Sequence, residues 1–428
     1  MDSKYRLNAD LDINRKITDL RTEYKVTMIP PTDLSDSFYD YSEGFFSAAH
    51  YIAVSLLETD HPDISKLDSY FFSLAFLYRH SLELILKALA FRNICDKGMR
   101  ILFAKNTFHD LAKILEGVLN VEPFSRNAEE LCWLQKYLAD ASRIDKESDA
   151  FRYPFHIRKQ DALFGGGYNI KRVFEYRTHI DLVSFANNAE LSYRVLKDWY
   201  RNEQDLSIDF ELLELKPVFI EAGGYYYGSS VVGYGYKRQD FYPYIDAYVD
   251  CAGLLRTKMS ELYDNKQIDQ AANLFMPMCY LYRNAVEIAI KSAWFEDTRE
   301  SFKNKCKILN KKKHSIYGLW NALYKWIKDF YPEDNGNSVL EEISLICNEL
   351  QGFDGTASKF RYPCSKDMEL FFRKEKVFDF INVAEYMEGL INAIDGVGME
   401  LSVRNEYYDE MEAEMLAEAR AEMASCLY

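Results

Sequence analysis

Two long stretches, FFSLAFLYRHSLELILKALAF (71–91) and LFMPMCYLYRNAVEIAIKSAWF (274–295), are apolar almost throughout, apart from a stripe of charges four residues apart. Their length, their lack of Gly and their wealth of Leu, Ala, Ile and Met predict helices buried on most faces. Apolar positions at three-and-four spacing predict further helices near 38–57, 127–142, 179–200, 240–264, 338–350 and 376–396. Between them, DFELLELKPVFIEAGGYYYGSSVVGYGYKR (209–238) alternates apolar and polar positions and then turns on Gly. That texture predicts a small β-hairpin, with the Gly/Tyr loop a structural linker, since it has no phosphate-loop spacing. The end of the chain, 407–428, predicts an acidic amphipathic helix that packs on the body.

The two stretches are variations on one pattern. Leu77, Tyr78, Arg79, Glu83, Lys87 and Phe91 align with Leu281, Tyr282, Arg283, Glu287, Lys291 and Phe295. Further matches keep the same order: Phe38-Tyr39-Asp40-Tyr41 with Phe241-Tyr242-Pro243-Tyr244, His109 with His314, and Asp145 with Asp354. Last comes FRYP, at 151–154 and again at 360–363, each Phe six residues beyond its Asp. The expected fold class is therefore mainly α: two tandem homologous helical bundles, an internal duplication, joined by a short β-hairpin-containing linker. The boundaries read as an N-terminal extension (1–35), repeat 1 (36–204), the linker (205–238), repeat 2 (239–396) and the acidic C-terminal helix (397–428). Each repeat is expected to hold four or five helices, with FRYP on the loop before the last long one, because Pro cannot continue a helix as a donor.

Charge narrows the function classes. The net charge of −15 opposes indiscriminate binding to nucleic acid but leaves room for a local basic groove. The first residues carry no apolar signal core, and no stretch approaches the ~20 apolar residues of a membrane span, so a cytoplasmic protein without membrane partners is expected. The eight Cys form no CxxC pair, which fits a reducing compartment and predicts no structural zinc. Aromatic residues make up 15%, which suggests packed aromatic seams and leaves an oligomer open.

The charges in the buried stripes need partners. One reading is an internal ion-pair ladder, in which Glu83, Glu287, Asp145 and Asp354 neutralise the cations. The other is an anion pocket, with Arg79, Lys87, Arg283 and Lys291 binding phosphate. His109 and His314 follow basic segments and suit either a structural cap or a general acid/base. The run ending in Lys311, Lys312 and Lys313 reads as a solvated loop, and equally as the best local candidate for nucleic-acid phosphate.

A helix carrying Y-R-x-x-x-E-x-x-x-K, then a His before a further helix, then Asp and F-R-Y-P before a last helix, resembles the HEPN superfamily. The resemblance spans most of both copies. It implies all-α bundles of bacterial and archaeal toxin–antitoxin or phage-defence systems. Many members are metal-independent endoribonucleases in which Arg and His from two protomers meet, while others only bind or regulate. It further implies a pseudo-dimer within one chain, with Arg152 and Arg361 approaching a shared cleft and His179 or His156 handling protons. The superfamily signature, Arg followed by four to six residues and His, is met only by Arg172 and His179, with Val173 where a polar residue is usual. Arg152 to His156 is one residue too short, and no His follows Arg361.

Three functions follow as expectations. The first is a module, catalytically degenerate, that binds RNA, a nucleotide or a cognate defence or antitoxin protein. The second is an active endoribonuclease with a composite Arg/His site between the repeats, and the third a purely structural scaffold. No cofactor or metal is expected in any of them.

Overall fold

The computed structural model describes residues 11–59, 62–121, 127–160, 167–203, 205, 207–233, 241–332 and 338–425. It is mainly helical, and its centre is a crossing of two helices. α2 (Ile64–Asn93) and α9 (Ile268–Phe295) hold the two matched stretches, and both are buried around their whole circumference. They cross where equivalent side chains meet: Phe76 stacks on Tyr280 with ring centroids 4.4 Å apart. α1 (Leu34–Leu57) and α8 (Tyr242–Asp264) each pack on both central helices, so residues of both halves fill one core. Gly44 permits this closeness, because a Cβ there would collide with the Asn273 carbonyl of α9.

The flanks are arranged alike in the two halves. α4 (Leu111–Val121) and α6 (Leu182–Arg201) pack on α2, while α3 (Lys97–Thr107) packs on α4 and α5 (Ala128–Ile144) joins α4 and α6. Around α9 lie α10 (Phe302–Lys312), α11 (Ile316–Phe330), α12 (Ser338–Phe353) and the first part of α13 (Phe380–Ser425). The likeness extends to backbone details. Phe108 and Lys313, each before its His, adopt left-handed φ of 51° and 50°. Ser148 and Ala357, each just after its Asp, do so at 59° and 57°.

Short strands exchange between the halves. β1 (Lys25–Met28), ahead of α1, pairs antiparallel with β6 (Lys376–Asp379), which leads into α13. Reciprocally, β5 (Ser229–Val232), ahead of α8, pairs antiparallel with β4 (Thr178–Asp181), which leads into α6. A third pair, β2 (Phe155–Gln160) with β3 (Gly167–Arg172), directly follows the first FRYP.

Some expectations need correction. The linker contains no hairpin of its own among the described residues: FELLEL belongs to α7 (Ser207–Glu214), and β5 pairs outside the linker, while 234–240 lie outside the described residues. Asp205 accepts from the Ser207 backbone N–H and hydroxyl at the start of α7, and Leu212 and Leu215 face the core. The local apolar spacing thus serves a helix. The Lys run is a helix rather than a loop: Ser301 caps α10, and Cys306 and Leu309 bury its inner face. The hairpin after the first FRYP stands where a plain loop is expected, its strands being only six residues each. The acidic tail is the continuation of α13. It packs on the body through Arg299 with Asp409 and Glu412 and through Tyr408 against Phe330 and Tyr331, and beyond that it is largely exposed.

Two composite polar sites as the candidate functional site

The stripe of each central helix centres on a buried carboxylate that gathers several donors. In the first half, Glu83 Oε1 accepts from Lys87 at 2.6 Å, from His109 Nδ1 at 2.9 Å and from the Tyr362 hydroxyl at 2.8 Å. Its other oxygen accepts from Arg79 at 3.0 Å. Arg79 also pairs with Asp145 Oδ2 at 3.0 Å and donates to the Asp145 and His109 carbonyls. The second half repeats the set around Glu287. Lys291 donates at 2.7 Å, His314 Nδ1 at 3.0 Å, the Tyr153 hydroxyl at 2.7 Å, and Arg283 to the second oxygen. Arg283 pairs with Asp354 at 3.3 Å and donates to the His314 carbonyl.

The tyrosines cross over. Tyr153, from the first FRYP, completes the site on α9, and Tyr362, from the second, completes the site on α2. Asp145 and Asp354 shape both turns: one oxygen of each accepts the N–H groups of the residues four and five positions later. That bend carries FRYP away from its own half. Lys291 then lies over the Tyr153 ring, 3.9 Å from its centroid, and Lys87 over the Tyr362 ring at 5.0 Å.

Electrostatics follow from burial and neighbours. Burial alone would raise the Glu83 and Glu287 carboxyls, but the surrounding His, Lys and Arg outweigh it and hold both well below the usual range. Glu83 and Glu287 pull His109 and His314 upward, yet burial and the adjoining cations leave both imidazoles below their ordinary value. Burial likewise lowers the Lys291 ammonium and raises the Tyr153 and Tyr362 phenols. The folded sites therefore hold neutral imidazoles and phenols around an ionised carboxylate. A His whose Nδ1–H is held by a carboxylate has a defined tautomer, with Nε2 left as the free basic nitrogen.

The sites are nearly closed. Lys87 and Lys291 are 8% and 10% exposed, whereas the His109 and His314 side chains are 28% and 39% exposed and form the rims. Counting Arg152, which acts on Glu287, His314 and Lys291, the second site holds three cations (Arg283, Lys291, Arg152) against two carboxylates (Glu287, Asp354).

Several expected positions differ. Arg152 and Arg361 are 4% and 7% exposed, so they do not face an open cleft. Arg152 donates to the Tyr153 hydroxyl and the Ser148 carbonyl, and Arg361 to the Ala357 carbonyl. Both act on Tyr280, and the Arg361 carbonyl meets the Nε2 of buried His80, so the two arginines sit near the central crossing. They are held inward because the turn aims the Tyr of each FRYP, and with it the preceding Arg, into the core. Arg172 lines a cleft of about 300 Å³ with Asp68, Phe174, Tyr242, Asp250 and Pro154 of the first FRYP, and neither FRYP arginine lines it. His179 stands on β4 opposite Val231 and acts on Asp68. His156 pairs with Asp149 at 3.1 Å, which raises its pKa. The Arg172–His179 signature and the FRYP arginines thus form no single composite centre. Lys311 and Lys313 are exposed at the end of α10, and Lys312 is half-buried.

Glu83, Glu287, Asp145 and Asp354 do carry the expected ion pairs. Tyr153 and Tyr362 are site residues that sequence reasoning misses. Their signal is a polar-ended aromatic repeated in both FRYP segments, in a chain where two buried Glu need more donors. Among the described residues no cluster of His, Cys, Asp and Glu suits a metal ion, and no helix is long and apolar enough to cross a membrane. Compared with family models, curated proteins and solved structures, the chain matches none.

Proposed function

We propose that this chain is a HEPN-like module that binds the phosphate groups of a nucleic acid or nucleotide at its composite sites, its Arg…His signature being catalytically degenerate. The observation that carries this reading is the rim. A partly exposed His stands over a buried set of fixed donors, and at the second site three cations face two carboxylates, an arrangement that suits an anion arriving from solvent. Arg172 stands beside Phe155, just after the first FRYP, but Arg152 and Arg361 are turned into the core and do not line its cleft, which supports degeneracy. A prokaryotic defence or toxin–antitoxin setting belongs to the same reading, through the resemblance.

The test is ligand binding by the whole chain, using mononucleotides and short RNA, with His109→Ala/His314→Ala alongside. At least about tenfold weaker binding, or about 1.4 kcal/mol, with melting preserved, supports the reading; unchanged affinity overturns it. Cleavage of RNA remains the second reading, favoured by one observation: Glu83 and Glu287 hold the two histidines by Nδ1, as a general base is held. Cleavage in EDTA that disappears in the double variant would put that reading first.

A further inference from the structure

Resting on that reading, we propose that the β2–β3 hairpin and α10 form a track for single-stranded nucleic acid that ends at the His314 site, so that only one of the two matched sites receives a polymer. The segments FHIRKQ, GYNIKR and FKNKCKILNKKK (155–160, 167–172 and 302–313) contain ten Lys and Arg and no Asp or Glu. They do so in a chain of net charge −15. The structure brings them together, since β3 packs against α10. Arg158, Lys159, Lys171, Lys303, Lys307 and Lys311 are exposed there. Lysines in the last turn complement the helix dipole, but that accounts for Lys311 and Lys312 alone.

The track has a direction. α10 is about 16 Å long at 1.5 Å per residue, and its C-terminal end runs through Lys313 straight into His314. Tyr153, which completes that site, lies just ahead of β2. Phe302, 46% exposed at the start of α10, and Tyr168 on β3 offer ring faces beside the cations, as single-strand binders do. A polymer of phosphates fits this charge better than an acidic peptide does, because the cations are spread over two elements at a spacing that many evenly placed anions can meet.

The His109 site has no such approach. Its helix α3 has three Lys or Arg, and among the described residues the pairing after the second FRYP shrinks to a single antiparallel bridge, Cys364 with Leu370. Instead Glu369 of the following loop pairs with Lys97 at the start of α3 and with Arg373. The two sites are alike inside and different outside.

The experiment measures binding of the full chain to labelled strands of about 15 nucleotides in three forms: single-stranded RNA, single-stranded DNA and duplex RNA. Salt is varied between about 50 and 300 mM. Lys303→Gln/Lys307→Gln/Lys311→Gln is compared with a control on the other half, Lys97→Gln/Lys105→Gln. The expected result is a loss of at least about tenfold in the first variant and no change in the control. The salt slope of the first variant should also fall by about 2, at about 0.7 for each phosphate no longer neutralised. Equal affinity for RNA and DNA assigns the track to the phosphates, and a preference for RNA adds recognition of the 2′-hydroxyl; both support it. Unchanged affinity and slope in the first variant overturn the track while leaving the site reading intact. So does binding of mononucleotides without binding of strands. Tighter binding of duplex overturns the single-strand assignment, and binding of neither nucleotides nor strands overturns both proposals.

Discussion

The Tyr153 hydroxyl donates to Glu287 Oε1 at 2.7 Å, although the two residues lie 134 positions apart and in different halves of the chain. Tyr362 makes the reciprocal bond to Glu83 at 2.8 Å. Each half thus supplies the last donor of the other half's buried carboxylate. Together with the exchanged strand pairs β1–β6 and β4–β5, this makes the halves mutually dependent.

Removing a crossing hydroxyl should cost stability without opening a large cavity. Tyr153→Phe and Tyr362→Phe are each expected to lose about 1.5–3 kcal/mol, the range for a hydrogen bond to a charged group. Urea unfolding of the two variants measures this.

Removing the carboxylate charge should cost more. Glu287→Gln leaves Arg283 and Lys291 facing each other in a buried setting, with Asp354 the remaining counter-charge. A loss of about 3–5 kcal/mol is expected, as for breaking a buried pair. Thermal or urea melting at neutral pH provides the check.

Much of this is legible in the sequence. The four-residue spacing of Arg79, Glu83 and Lys87 announces a ladder, and both long central helices follow from composition. The crossing of Tyr153 and Tyr362 is not legible, because spacing along one helix says nothing about which half a distant turn will reach. The inward course of Arg152 and Arg361 depends on the same turn. β1, β4, β5 and β6 are four residues each, too short for period-two alternation to stand out. FELLEL misleads because its apolar run serves a helix whose outer face leaves Phe210 and Leu213 exposed.

Stability should rise with pH across the imidazole range. His80 is fully buried, and burial pushes it well below its ordinary value, while His109 and His314 are also lowered. Each is neutral when folded and takes a proton first on unfolding. Its contribution is complete above about pH 6.5 and is lost as pH falls toward the folded value. His50, raised by Glu190, and His156, raised by Asp149, work the other way: their contribution is present below that pH and lost as pH rises through their folded values. Those two pairs are partly exposed and screened. Asp297, whose carboxyl burial pushes up to about 6, also costs stability as pH rises. His80 is wholly buried and stands with two more lowered imidazoles, so the lowered group of three outweighs them. Greater stability at pH 7 than at pH 5 is expected, by urea unfolding at each. His80→Asn, which copies Asn284 at the matching place on α9, should flatten that slope.

The end of α13 should be dispensable for the fold. Residues 413–418 are exposed, whereas Asp409 and Glu412 pair with Arg299 just before them. Deleting 413–428 is expected to change stability by less than about 0.5 kcal/mol, as for surface changes away from structural features. Calorimetry of the shortened chain checks it.

Each carboxylate is completed from the opposite half, and double-mutant cycles are the sharpest probe of that crossing. Tyr362→Phe with Glu83→Gln, and Tyr153→Phe with Glu287→Gln, are predicted to couple by about 0.5–3 kcal/mol. The swapped pair, Tyr153→Phe with Glu83→Gln, should be additive within about 0.5 kcal/mol. Coupling of Tyr153 to Glu83 in place of Glu287 would mean that each half closes its own site and that the tyrosines do not cross over.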